Sequence, residues 1–202
     1  SAQTVIQHNY FSDDSSIVIF IDDLALGTII QNNIIDSPSP AISGYQFAFE
    51  TQPNLVIRNN ILHGNIQEIN GAEIYNNIFL DNTGLAESDN NQVKNNVFTS
   101  ASGESVDDLS DGNNLANNLF SVTQTDLFIG DLDLVDGDYV LEENSPAIGV
   151  GLSGIDAGVF GGISPYRISG LPSIPRIIEL TTTGIGTTES GIKVTLKAIS
   201  NH

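Results

Sequence analysis

The chain has 202 residues, 25 of them acidic against six basic, for a formal net charge of −19, and it contains no Cys, Met or Trp. That charge disfavours nucleic acid and anionic membrane surfaces as partners, because like-signed fields repel at the range where association begins. The missing cysteines exclude disulfides, thiolate-held zinc, iron–sulfur clusters and thiol catalysis, and no apolar run approaches the roughly 18 residues of a membrane span.

Read in chain order, one short phrase returns six times: Ile6–Phe11 (IQHNYF), Ile30–Ile35 (IQNNII), Ile57–Leu62 (IRNNIL), Ile74–Phe79 (IYNNIF), Val93–Phe98 (VKNNVF) and Leu115–Phe120 (LANNLF). Such recurrence marks a stacked-coil architecture. The second Asn falls at Asn9, Asn33, Asn60, Asn77, Asn96 and Asn118, in steps of 24, 27, 17, 19 and 22 residues. Those steps are too irregular for a propeller blade. Each phrase predicts a short strand, a corner on the Asn pair and a second strand, since Asn tolerates the left-handed backbone region and bonds locally to main chain. Coils about 4.8 Å apart would stack equivalent amides into a hydrogen-bonded ladder. The phrase alone leaves open which Asn of the pair points inward. Asp36–Pro40 and Ser100–Gly112 read as excursions from the stack. No segment longer than two turns keeps a helical apolar period, so an all-β chain is expected.

In this arrangement the phrases resemble the right-handed parallel β-helix over about residues 1–163. The expected fold is therefore all-β, a right-handed parallel β-helix (solenoid) with a C-terminal two-stranded tail. Asp138–Gly162 carries Tyr139-x-Leu141, Ser145-Pro146-Ala147-Ile148, Gly149–Gly151, Asp156-x-Gly158 and Phe160-Gly161-Gly162. This stretch is similar to the closing coil of many bacterial extracellular β-helix proteins of the pectate-lyase-like superfold. The resemblance implies a closing cap and an extracellular or cell-surface location; physically, Ser-Pro starts a turn, the glycines allow close backbone approach, and Phe160 is expected to plug the last core layer. Ser1 leads into a repeat by Ile6, which fits a secreted chain in mature or trimmed form.

After residue 163 the texture changes. Pro165, Pro172 and Pro175 punctuate a connector over 164–175, each removing a ladder donor. Residues 176–202 hold two alternating runs. In the second, Ile192, Val194, Leu196 and Ala198 share one face and Lys193, Thr195 and Lys197 the other. Two strands do not make a stable domain alone, so Ile192, Val194, Leu196, Lys193 and Lys197 are expected to dock by strand addition on a host surface. That host is this β-helix or a neighbouring copy. Residues 1–166 carry 23 acidic against two basic residues, a net −21, whereas residues 167–202 carry two acidic against four basic, a net +2. The first coil is expected to be covered by a removed N-terminal part, by another copy of the chain, or by a short cap over residues 1–5. Contacts between copies of this head-to-tail kind build filaments.

Candidate chemistry starts with the outward column Gln7, Gln31, Arg58, Tyr75, Lys94 and Ala116. Polysaccharide lyases of the resembled fold use Lys or Arg as proton acceptor and cations to neutralise a uronate, which makes Lys94, Arg58 and Tyr75 the catalytic alternative. The other reading is a solvated face with one cation–π contact on Tyr75. Asp13-Asp14, Asp22-Asp23, Asp107-Asp108 and Glu142-Glu143 offer paired carboxylates, though adjacent residues on a strand point apart and a glycosidase needs two across a cleft. Asp131 and Asp133 present oxygen ligands at a spacing of two, as calcium wants, or else form a solvated acidic face; no other cofactor is expected. His8 reads as a turn-stabilising imidazole in place of an Asn, and His63 and His202 stand apart from it. The functional expectation is a non-enzymatic extracellular structural or adhesive subunit. Its rival is a carbohydrate-active β-helix, a polysaccharide lyase or a glycan-binding module.

Overall fold

The computed structural model describes residues 3–12, 16–22, 27–44, 54–101, 112–130, 135–169, 176–182, 186 and 191–199. Its chain divides into two compact units, 1–166 and 167–202.

Unit 1 is wound from six coils. The first carries β1 (Val5–Gln7), β2 (Tyr10–Ser12) and β3 (Ile19–Phe20); the second β4 (Ile29–Gln31), β5 (Ile34–Asp36) and β6 (Ile42–Ser43). The third carries β7 (Val56–Arg58), β8 (Ile61–Leu62) and β9 (Ile66–Gln67), and the fourth β10 (Glu73–Tyr75), β11 (Ile78–Phe79) and β12 (Leu85–Ala86). The fifth has β13 (Gln92–Lys94) and β14 (Val97–Phe98), and the sixth opens with β15 (Asn114–Ala116). Equivalent strands pair in parallel into three sheets, β1-β4-β7-β10-β13-β15, β2-β5-β8-β11-β14 and β3-β6-β9-β12. The fold is the all-β parallel β-helix with an appended two-stranded sheet.

Period-two alternation decides what lies inside. In the four inner strands of the first sheet the middle residue, Ile30, Ile57, Ile74 or Val93, is wholly buried, and these four align in register. They meet Ile35, Leu62, Phe79 and Phe98 of the second sheet and Ile42, Ile66 and Leu85 of the third in one continuous core. Phe79, Phe98 and Phe120 stack face on face, with centroids 4.5 and 4.9 Å apart.

The Asn pair resolves into two roles. The first member sits in the left-handed region, at φ between 50° and 59° for Asn32, Asn59, Asn76, Asn95 and Asn117, with His8 at 59° in the same place. That turn swings the second member inward. The main-chain N–H and the Nδ2 of Asn9 both donate to Asn33 Oδ1, and the same two bonds run from Asn33 to Asn60, Asn60 to Asn77, Asn77 to Asn96 and Asn96 to Asn118, all between 2.9 and 3.1 Å. Nδ2 also reaches back to the preceding coil, from Asn60 to Ile30 O and from Asn77 to Ile57 O. A second, shorter ladder stands at the entry to the first sheet, where Asn91 donates to Asn113 Oδ1 and accepts from Ala72 N.

Asp36–Pro40 departs from the expected excursion. It forms a packed corner between β5 and β6 with Ser37 buried, because Gly64 of the next coil seats directly on it; a Cβ there would lie 2.1 Å from Ser39 O. Residues 102–111 of the second expected excursion lie outside the described residues. Unit 2 holds β16 (Arg176–Thr182) and β17 (Val194–Ile199), antiparallel with Leu180 opposite Leu196 and a register shift between Ile177 and Glu179. Among the described residues no helix is long and apolar enough to cross a membrane.

An interior rung and a terminal rung should differ in cost. Asn77→Ala removes the acceptor of two Asn60 donors and leaves Ile57 O and Asn96 Oδ1 short of a donor. At about 1–3 kcal/mol for each buried group left unpaired, urea unfolding should show a loss of at least about 3 kcal/mol. Asn9→Ala, whose Oδ1 accepts from no described group, should lose a fraction of that; equal losses would contradict the assignment of the ladder.

Candidate functional site

The outward column is set by the first sheet. In-register pairing places Gln7, Gln31, Arg58, Tyr75, Lys94 and Ala116 on successive rungs. Gln31 Nε2 donates to Gln7 Oε1. Arg58 Nε donates to Gln31 Oε1 at 2.8 Å, its Nη1 donates to Tyr75 OH at 2.9 Å, and its guanidinium carbon lies 6.0 Å from the centroid of the Tyr75 ring. The only two basic residues of residues 1–166 thus flank one tyrosine. Among the described residues neither forms an ion pair with a carboxylate.

The first Asn of each pair, turned outward by its left-handed backbone, holds a strap. Asn95 Nδ2 donates to Val150 O, Leu152 N donates to Asn76 Oδ1, Asn59 Nδ2 donates to Asp156 O and Gly158 O, and Asn32 Nδ2 donates to Val159 O and Gly161 O. The His8 imidazole ends the series 2.7 Å from Ser164 O. Asp138–Gly162 therefore does not close the solenoid as a further coil, as its resemblance implied. Residues 150–164 run back along the stack, from the fifth coil to the first, on a column of side-chain amides.

The strap lies there because the second sheet is apolar on both faces. Ile34, Ile61, Ile78 and Val97 point away from the inner core and are buried by Leu80, Leu127, Ala147, Ala157, Val159 and Tyr166. Each such side chain contributes about 1.5–3 kcal/mol. Phe160 packs in this second core, edge-on to Tyr166 at 6.2 Å, rather than plugging the last layer of the first. Gly158 and Gly161 let the strap approach: a Cβ on Gly158 would meet Ile78 Cδ1 at 2.7 Å, and one on Gly161 would meet Asp156 O at 1.9 Å.

Between strap and column lies a groove of about 250 Å³. Its floor is Gln31, Arg58 and Tyr75 and its far wall includes Leu152, Ile155 and Ile163. Polar planar groups below and aliphatic side chains beside them suit a ligand with hydroxyl or carboxylate groups and one apolar flank. Lys94 does not line it.

A polar cluster that the sequence did not suggest fixes the start of the segment that becomes the strap. His63 Nδ1 is 2.6 Å from Asp81 Oδ2, and Tyr139 OH is 2.8 Å from His63 Nε2. With the Nδ1–H tautomer, imidazole donates to the carboxylate and the phenol donates to Nε2. Tyr10 OH donates to Asp36 Oδ2 nearby at 3.0 Å. Burial, with the hydrogen bond and negative charge of Asp36, pushes the Tyr10 phenol up to about 12. Burial first, then the surrounding carboxylates, raises Tyr139 further. Asp36 and His63 occupy equivalent places just after the second-sheet apolar pair, but Ser12 and Leu80 hold that place in the coils on either side, so no repeated pattern marks the cluster.

The remaining candidates do not converge. Asp22, Glu142 and Glu143 are exposed. Asp131, Asp133, Asp13, Asp14, Asp23, Asp107, Asp108 and His202 lie outside the described residues, so the calcium reading finds no geometry. Among the described residues no group of three or more His, Asp or Glu could hold a metal ion. In the tail, Ile177, Leu180, Ile192, Val194 and Leu196 are each more than half exposed, and Lys193 and Lys197 are exposed as well. Compared with protein-family models, curated proteins and solved structures, the chain finds no match.

Two outcomes follow from the strap. Gly161→Ala should loosen residues 150–164, seen as faster amide exchange there and dye binding at the uncovered isoleucines, with about 1–3 kcal/mol lost to overpacking; unchanged exchange would contradict the close approach. Alkaline titration gives the second. Folded Tyr10 and Tyr139 hold their protons above the ordinary tyrosine range, so their contribution is complete below pH 10 and is lost as pH rises from about 10 towards 12 and beyond. Tyr139→Phe should flatten that decline in stability, and an equal slope would count against the cluster.

Proposed function

We propose that the chain is a non-enzymatic structural or adhesive β-helix subunit, secreted by a bacterium and working outside the cell or on its surface. The observation that carries this reading is where the recurring residues are spent. The second Asn of every phrase is engaged in holding coil to coil, and five of the six side chains before it, those of His8, Asn32, Asn59, Asn76 and Asn95, are engaged in holding coil to strap. The location is inferred from the resemblance of the coils to extracellular β-helix proteins and from the acidity of residues 1–166. The tail fits the same reading: its exposed apolar face needs a host, and its net +2 complements the −21 of residues 1–166, which favours docking on a neighbouring subunit.

A second reading rests on one observation. Arg58 and Lys94, unpaired with any described carboxylate in so acidic a chain, flank Tyr75, and Arg58 and Tyr75 line an open groove. That arrangement favours a glycan-binding or lyase site. It also has the hydrogen bonds of Arg58 to Gln31 and Tyr75 against it, since these fix the guanidinium in place without a substrate.

Incubation with a panel of neutral and uronate-containing polysaccharides separates the two. Wild type and Lys94→Ala are expected to give the same flat absorbance where unsaturated uronates absorb. Turnover by wild type that Lys94→Ala abolishes would replace the structural reading with the enzymatic one.

A further inference from the structure

We infer that one copy of this chain stacks head to tail on the next, the Asn118 end of one against the Asn9 end of its neighbour, with the inner asparagine ladder running through the junction. This deepens the structural-subunit reading, and rests on it, by naming the partner as a second copy.

The ladder has a direction. Each rung from Asn9 to Asn96 donates its main-chain N–H and its Nδ2 to the Oδ1 of the following rung. At one end, Asn9 Oδ1 accepts from no described donor, while at the other Asn118 N–H finds no described acceptor and Asn118 Nδ2 bonds only back to Val93 O. One end of the stack lacks a donor and the other lacks an acceptor. A neighbour placed one strand spacing beyond the sixth coil supplies what each lacks.

The core columns end in the same unfinished way. Leu115 is 40% exposed although Ile30, Ile57, Ile74 and Val93, its register equivalents, are at 0%. Phe120 closes the Phe79–Phe98–Phe120 stack with one face bearing no described ring. At the opposite end Ile6 and Phe11 are only half-buried. Continuing the register by one step sets Ile6 of the neighbour over Leu115 and its Phe11 over Phe120, so the apolar columns and the ladder match in a single placement. The outer strands β1 and β15 of the first sheet meet at the same time, which pairs two open edges. The two contacting surfaces differ, so the contact repeats without closing and gives a filament. Charge opposes it: two bodies of net −21 repel until salt shortens the screening length to about 3 Å at 1 M.

The absence of cysteine makes the register directly testable. Gln7 and Ala116 are the two ends of the outward column, five rungs or about 24 Å apart within one copy, too far for an internal disulfide. Across the junction their Cα atoms fall one rung apart, about 4.8 Å, within disulfide range. Gln7→Cys and Ala116→Cys are prepared as separate single variants of the full chain, one carrying an affinity tag, mixed in equal amounts and oxidised gently in 0.15 M and 1 M NaCl. The expected result is a mixed dimer at least several-fold more abundant than either homodimer, rising with salt. Homodimers as abundant as the mixed dimer, or no cross-link in either salt, would overturn the stacking. Either failure leaves the structural-subunit reading to the polysaccharide assay, which turns on Lys94 and not on the coil ends.

Discussion

A primary carboxamide one methylene from the backbone can accept from the coil on one side and donate to the coil on the other, and the whole solenoid depends on that double capacity. In the ladder each Oδ1 from Asn33 to Asn118 receives two bonds from the rung before it, and the Nδ2 of Asn33, Asn60 and Asn77 is shared between the rung ahead, the preceding coil and its own strand. Aspartate would supply only acceptors, and leucine neither group. The rungs lie where three-residue strands turn a corner, so without them buried main-chain groups of the corner would stand unpaired. The apolar columns then fall into register as a consequence, because the same 4.8 Å step that lets amides bond also brings Phe79 onto Phe98 and Phe98 onto Phe120.

The neighbouring position turns one corner into two devices. A left-handed residue before the rung points its side chain outward, and five of the six such side chains grip the returning strap at Val150, Leu152, Asp156, Gly158, Val159, Gly161 and Ser164. The strap in turn completes a second core on the outer face of the second sheet. Inner ladder and outer strap therefore share one backbone geometry. A substitution that relaxes the left-handed corner disturbs both at once, and the glycines that allow close approach, Gly158 and Gly161, extend the dependence to the strap itself.

Much of this was legible. The Asn phrase implied about six or seven coils, the strand–corner–strand order and the outward column from Gln7 to Ala116, because a repeated pattern reports a local geometry that must recur. Two apolar residues after each Asn pair also carried a message: alternate side chains of a strand face opposite ways, so Ile34-Ile35 and Ile61-Leu62 require cover on both sides. Asp138–Gly162 is that cover. Its glycines and Ser145-Pro146 were visible as turn chemistry, but nothing local distinguishes a segment that caps an end from one that lies along a flank; the partners are 55 to 156 residues away. The His63–Asp81–Tyr139 cluster was hidden for the same reason, joining a short coil to a distant turn. The groove beside Arg58 belongs to no single stretch, since one wall is a coil face and the other the strap.

Native-state hydrogen exchange at the corners tests the stacked-amide account most directly. The backbone amides of Asn33, Asn60, Asn77 and Asn96 sit between strands, where corner amides ordinarily exchange quickly, yet each donates to the Oδ1 of the next rung, buried in Asn60, Asn77 and Asn96 and half-buried in Asn118. They should rank among the slowest amides of the chain, with protection close to the free energy of global unfolding. Exchange of these four at the rate of exposed loop amides would mean that the corners are not joined, and the account built on them would fall.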